Sequence, residues 1–267
     1  MRRLSWSHGL ALILLLENAY LAWPPVRDLA LRAEAHPAVR GRQLALGLGC
    51  FSCHGPEGRG GVPNHGSKYE TVPGFGEQTL MMFVKDEAEV REYIRDGAPQ
   101  RQRQRAAYQA ELAAQALRMP AFGDWLSEAE SDALVAYLRL VSGLLRPTDP
   151  AITHGEQMFG RLGCAACHGE MGMGGRPNPG SLKGYIPGFL GDDYRELVRD
   201  DAELLAWLRD GALARVAEHP LGHYFFERQR VRMPAYKHFV ADDDLRAIAA
   251  YVRWLAAGAW QEQPLAP

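Results

Sequence analysis

The strongest constraint on this chain is that it repeats itself. A shift that lays Gly41 to Gly143 on Gly155 to Ala257, 114 residues further on, matches without a gap. Gln43 falls on Gln157, Pro63-Asn64 on Pro177-Asn178, and Pro73-Gly74-Phe75 on Pro187-Gly188-Phe189. Arg95-Asp96-Gly97-Ala98 falls on Arg209-Asp210-Gly211-Ala212, Arg118-Met119-Pro120-Ala121 on Arg232-Met233-Pro234-Ala235, and Tyr137 on Tyr251. Solenoid repeats run about 20 to 50 residues, so a period this long marks a duplicated domain. The length of 267 residues agrees, at about 100 to 200 residues per domain. The repeat divides the chain into a lead-in (1–35), a first domain (36–143), a linker (144–150), a second domain (151–260) and a tail (261–267). Pro147 and Pro150 suit an extended linker.

Within each copy the apolar residues recur at helical steps. Leu134, Tyr137, Leu138 and Val141 do so late in the first copy, and Ile248, Tyr251, Val252 and Leu255 late in the second. Glu128 and Asp242 to Asp244 occupy the first turns of those helices, where acidic groups suit the helix dipole. Gly41 to Gly49 and Gly155 to Gly163 read as short helices. Asp86 to Arg95 and Asp200 to Arg209 read as middle helices, each stopped by the glycine after Arg-Asp. No alternating strand pattern of useful length occurs, so the fold class is all-α. The glycine-rich stretches Gly55 to Gly76 and Gly169 to Gly191 read as long loops, and loops that long need something to wrap around. The formal net charge of -2 excludes a nucleic-acid protein working through bulk positive charge.

All four cysteines fall in two identical spacings, Cys50-Phe51-Ser52-Cys53-His54 and Cys164-Ala165-Ala166-Cys167-His168, the pattern of covalent c-type haem attachment. On a helical turn, residues i, i+3 and i+4 share a face, so both thiols reach the two vinyl groups while the histidine comes under the iron. A zinc site, a redox dithiol and structural disulfides are the rival readings. Zinc ribbons bring two cysteine pairs together, whereas here each pair lies in its own copy with its own histidine. A second axial ligand is offered at the same offset in both copies by Met119 and Met233, each 65 residues after its motif histidine. The proline that follows disfavours helical geometry at the methionine and places it in an extended loop, unlike a methionine that only fills a core. His/Met ligation also suits an electron-transfer haem of raised potential.

Each copy resembles a class I cytochrome c domain, through Gly155 and Phe159 ahead of the haem motif, Cys164 to His168, the Arg232-Met233-Pro234-Ala235-Tyr236 loop and the late helix through Tyr251. The resemblance covers residues 36 to 258. It implies two tandem all-helical domains, each wrapped around a covalently attached haem c, with first and last helices crossing. Copy one departs from it at Ala45, where copy two has Phe159. Both copies also carry a longer segment before the methionine loop than compact single-haem relatives. In copy one it holds Arg101, Arg103 and Arg105, then a helix from Ala106 to Leu117; in copy two it holds Pro220 and Tyr224-Phe225-Phe226. The arginines read first as a solvated face, with the docking of an acidic redox partner as the alternative. Arg118 and Arg232 are candidates for haem propionates. His223 is a candidate to displace Met233.

At the N-terminus, Arg2 and Arg3 precede apolar runs from Leu10 to Leu16 and from Ala19 to Trp23, interrupted by Glu17 and Asn18. An uncleaved apolar helix from about Leu4 to Trp23, with Trp6, Tyr20 and Trp23 as interfacial aromatics, would anchor the chain and leave the rest on the outer, periplasmic face. A cleaved signal peptide is the alternative, with bulky Tyr20 or charged Glu17 at the cut site. The expected function is single-electron transfer through two His/Met haems, as a carrier or as a subunit of a respiratory or photosynthetic complex, with redox proteins as partners. A dihaem peroxidase and a haem-based redox or gas sensor are the alternatives from other classes.

Overall fold

The computed structural model describes residues 36–76, 82–143, 146–258 and 260, so the N-terminal segment read as an anchor lies outside the described residues. No helix among those described is long and apolar enough to cross a membrane. The first domain contains α1 (Pro37–Gly47), α2 (Cys50–His54), α3 (Glu87–Asp96), α4 (Gln100–Arg103), α5 (Ala106–Ala114) and α6 (Glu128–Val141). The second contains α7 (Pro150–Arg161), α8 (Cys164–His168), α9 (Asp192–Leu197), α10 (Asp201–Asp210), α11 (Ala214–Ala217), α12 (Pro220–Arg228) and α13 (Asp242–Ala257).

Local chemistry sets these boundaries. Asp86 and Asp200 cap α3 and α10, each accepting from the backbone N–H three residues on, at 3.0 and 2.9 Å. Gly97 and Gly211 end the same helices in the left-handed conformation expected of them. Ser127 and Glu130 form a reciprocal capping box at the start of α6. The first helix of each domain starts earlier than its apolar pattern. Pro37 and Pro150 sit in the first turns, and the His36 and Asp149 side chains accept from the N–H groups that follow. The linker therefore yields Pro150 to α7. Helix α5 ends at Ala114, three residues short of expectation, because Ala116 and Leu117 bond elsewhere.

Helices α1 and α6 cross in the first domain, and α7 and α13 in the second. A glycine sits at each crossing: a Cβ on Gly41 would lie 1.8 Å from the Ala133 carbonyl oxygen, and one on Gly155 2.0 Å from that of Ala247. The departure at Ala45 is compensated. In the second domain Phe159 packs edge-on to Tyr251 and Phe189, with ring centroids 5.4 and 6.0 Å away. In the first, Phe51 meets Tyr137 at 6.0 Å and Phe75 at 6.5 Å. Position 51 corresponds to Ala165, so the two copies have exchanged which helix supplies the third aromatic.

The long loops are not wholly irregular. In the second domain β1 (Arg176–Pro177) pairs antiparallel with β2 (Tyr185–Ile186), and in the first an isolated bridge joins Pro63 to Thr71 at the corresponding positions. Two-residue pairs carry no alternation for a sequence to display. Between the domains one apolar cluster is shared. Leu134, Val135 and Leu140 belong to it together with Phe159, Leu190, Leu255 and Trp260. Arg59 of the first domain pairs with Glu170 of the second.

Candidate functional site

Helices α2 and α8 are each a single turn that opens on a left-handed glycine, Gly49 or Gly163, and ends at the motif histidine. That turn brings both thiols of a pair and the imidazole to one side. The four cysteines are free and half-buried, and among the described residues no group of three or more His, Cys, Asp or Glu could hold a metal ion. Burial pushes the Cys50 thiol up, and that of Cys164 up to about 11. Neither thiol has the lowered pKa of a reactive dithiol.

The histidines are set by the long loops. His54 Nδ1 bonds the Pro73 carbonyl at 2.6 Å, and His168 Nδ1 bonds the Pro187 carbonyl at 3.0 Å. A carbonyl only accepts, so Nδ1 carries the proton and Nε2 keeps its lone pair. This is the outer hydrogen bond that fixes tautomer and ring plane in metal-binding histidines. Phe75 packs over His54 with ring centroids 4.8 Å apart, and Phe189 stacks on His168 at 4.7 Å. Burial lowers both imidazole pKa values, partly offset by the proline carbonyls, a shift that favours the neutral ring. Two thiols and one ring nitrogen on a single turn, with no competing bond on that nitrogen, fit a covalently held haem.

Met119 and Met233 lie half-buried in the irregular stretches after α5 and α12. Met233 packs against the apolar cluster of Leu204, Leu208, Leu245 and Ile248. Their carbonyls rest against the glycines that end α3 and α10, where a Cβ would come within 2.7 Å of Met119 O and 2.4 Å of Met233 O. Ahead of each methionine, buried Asn64 and Asn178 each bond the N–H and the carbonyl of one loop residue, and Asn178 Nδ2 also reaches Gln229 Oε1. These asparagines, like Pro73 and Pro187, stood out in the sequence only as in-register matches. The repeat itself was the signal that could have promoted them.

Other candidates resolve differently. Arg101 is paired in two prongs with the buried Glu89, and Arg215 does the same with Glu203 in the second domain. Arg101 therefore ties α4 to α3 instead of offering free charge to a partner. Arg103 reaches Asp96 at 3.1 Å. Arg232 bonds the Glu227 carboxylate at 3.0 Å and lies over the Phe226 ring, while Arg118 is exposed. His223 is exposed on α12, a helix that the insertion's sequence did not announce. Met171 accepts a long hydrogen bond from Tyr251 Oη, at 3.6 Å.

A family model, Cytochrome c, matches residues 38–142 and again residues 152–256. Among solved structures the chain is similar to one from Kuenenia stuttgartiensis described as a reducing HAO-like protein complex Kustc0457/Kustc0458. The identity is 17% over 81% of this chain and 95% of that one, and the TM-score of 0.26 is too low to carry an argument. No curated protein matches the chain.

Proposed function

This chain belongs to the cytochrome c family, as two class I domains in tandem that carry two covalently attached haem c groups, and from that premise we propose that it passes single electrons through two His/Met-ligated haems outside the cytoplasm. Cys50 and Cys53 would hold the first group, with His54 and Met119 as ligands to its iron, and Cys164 and Cys167 the second, with His168 and Met233. Haem c supplies a one-electron iron couple when bound there. The chain's own residues orient the imidazoles, exclude water with Phe75 and Phe189, and present a thioether on an extended loop.

The observation that carries this reading is the identity of the two sites. Each has the same histidine-to-proline hydrogen bond, the same stacked phenylalanine and the same methionine loop against a helix-ending glycine. A site of substrate chemistry needs an open iron position, and duplication with a potential ligand in both copies favours two closed ones. Redox proteins are the proposed partners, met as a mobile carrier or as fellow subunits of a membrane complex. An N-terminal anchor and a periplasmic setting belong to the same proposal.

A reduced-minus-oxidised spectrum with a redox titration of the purified haem-loaded protein tests it. Two low-spin haems with separate midpoints, neither binding carbon monoxide when reduced, are expected. A high-spin haem that reacts with peroxide would overturn the reading in favour of an enzyme.

A further inference from the structure

In both domains the stretch before the methionine is stapled to the hairpin that follows the haem motif by three bonds at matching positions, and Asn178 Nδ2 adds a fourth to Gln229 Oε1 at 3.4 Å. Leu117 N–H donates to Asn64 Oδ1 at 2.8 Å, and Asn64 Nδ2 donates back to the Leu117 carbonyl at 3.1 Å. Val231 N–H donates to Asn178 Oδ1 at 2.9 Å, and Asn178 Nδ2 to the Val231 carbonyl at 3.0 Å. A third bond joins the backbones, from Ala116 N to His65 O at 2.9 Å and from Arg230 N to Pro179 O at 3.1 Å. The asparagines are 5% and 4% exposed.

The chemistry is specific to an amide. An extended loop residue has one donor and one acceptor to satisfy, and a side-chain amide offers both side by side from one planar group. The partner leucine and valine remain 37% and 39% exposed while their peptide groups are held. Beside each staple, Gly66 and Gly180 bring the hairpin against the end of α5 or α12. A Cβ there would lie 2.1 Å from the Ala114 or Arg228 carbonyl oxygen, and both glycines have positive φ, 81° and 87°. The segments that lengthen these domains are thereby tied down. The staple grips residue 117 or 231, two residues and about 7 Å of extended chain before the methionine.

We propose that Asn64 and Asn178 are positioning residues for the axial thioethers: each holds its methionine loop closed over one haem and so sets how readily an outside ligand displaces the sulfur. The proposal rests on the ligation read above. It assigns to each domain a separate latch, so the two haems can be loosened one at a time.

The test uses the full haem-loaded protein and its Asn64→Ala, Asn178→Ala and Asn64→Asp variants, with imidazole as the probe. The readouts are imidazole affinity of the ferric form, the sulfur-to-iron charge-transfer absorption and the two midpoint potentials. Each alanine variant is expected to bind imidazole about tenfold more tightly at one haem, the gain expected from losing two hydrogen bonds of ordinary strength. That haem alone should lose sulfur absorption and fall in potential. Asn64→Asp keeps the acceptor for Leu117 N–H and loses the donor, so an intermediate affinity is expected, and it serves if the alanine form does not load haem. Trp260→Ala, which touches none of the staple's bonds, is the comparison for a general loss of stability and should leave imidazole affinity unchanged. Sulfur absorption in the unsubstituted protein with unaltered imidazole affinity in the asparagine variants would overturn the latch alone. Absence of sulfur absorption from the unsubstituted protein would overturn the ligation and the latch together.

Discussion

The two copies differ at the residue three places after the motif histidine. Glu57 and Met171 occupy corresponding places, and both take positive φ, 54° and 50°. In the first domain the Glu57 carboxylate accepts from Arg42 Nε at 2.9 Å and from Tyr137 Oη at 3.1 Å, and Arg42 holds its pKa below the ordinary carboxylate range. In the second, Arg42 is replaced by Glu156 and the tyrosine hydroxyl meets the Met171 sulfur. The Glu57→Met substitution should therefore be costly where methionine is native in the sister domain, because it strands a half-buried guanidinium and a tyrosine hydroxyl. A loss of about 1 to 3 kcal/mol in urea unfolding is expected, recovered in part when Arg42→Gln is added. Glu203 gives a pH-dependent case. The two-pronged bond from Arg215 depresses its pKa to about 2, with Arg199 N–H helping. A depressed folded value stabilises above the unfolded value near 4.5 and the benefit disappears as pH falls towards 2. Urea midpoints measured from pH 6 to pH 2 should fall more steeply for the native protein than for Glu203→Gln; parallel slopes would contradict the assignment.

Helices reveal how the duplicated architecture tolerates divergence. Two aromatic rings, from Tyr137 and Phe75 or from Tyr251 and Phe189, are common to both domains, and a third ring closes the group from α2 in one and α7 in the other. Phe51→Ala should cost about 3 to 5 kcal/mol by the cavity it leaves. The double change Phe51→Ala with Ala45→Phe rebuilds the arrangement of the second domain and should return most of that stability, which thermal unfolding would report. No recovery would mean that the two positions are not interchangeable. The crossing tolerates no such exchange. Gly41→Ala places a methyl group on the Ala133 carbonyl and should push α1 from α6, lowering the yield of haem-loaded protein.

At the scale of the whole molecule the domains are joined by more than their linker. Trp260 is fully buried, donates its indole N–H to the Leu255 carbonyl at 3.2 Å, and lies 5.6 Å from the His36 ring at the start of the first domain. The end of the second domain is thus packed on the beginning of the first, beside the shared apolar cluster. Trp260→Ala should remove about 3 to 5 kcal/mol and divide one calorimetric transition into two. A single transition that merely shifts would show that the shared cluster alone couples the domains.

Much of this was legible without coordinates. The exact-offset repeat declared two domains, the cysteine spacing declared the cofactor, and the helices with strong caps, such as Asp86 to Gly97 and Asp200 to Gly211, were readable because their signals are local. Helix α12 and the short ladder were not, since a nine-residue helix in an aromatic insertion and a two-residue strand carry too little periodicity. The pairing of Arg101 was not legible for a different reason: it depends on Glu89, a helix away and buried. What the sequence determined by itself is the set of groups that make or break bonds within a turn or two, where spacing alone implies geometry. Tertiary structure alone decided which carbonyl orients each histidine, which asparagine grips each methionine loop and which aromatic completes each crossing. Those partners are separated by up to 92 residues of chain, from Phe159 to Tyr251, and only folding brings them together.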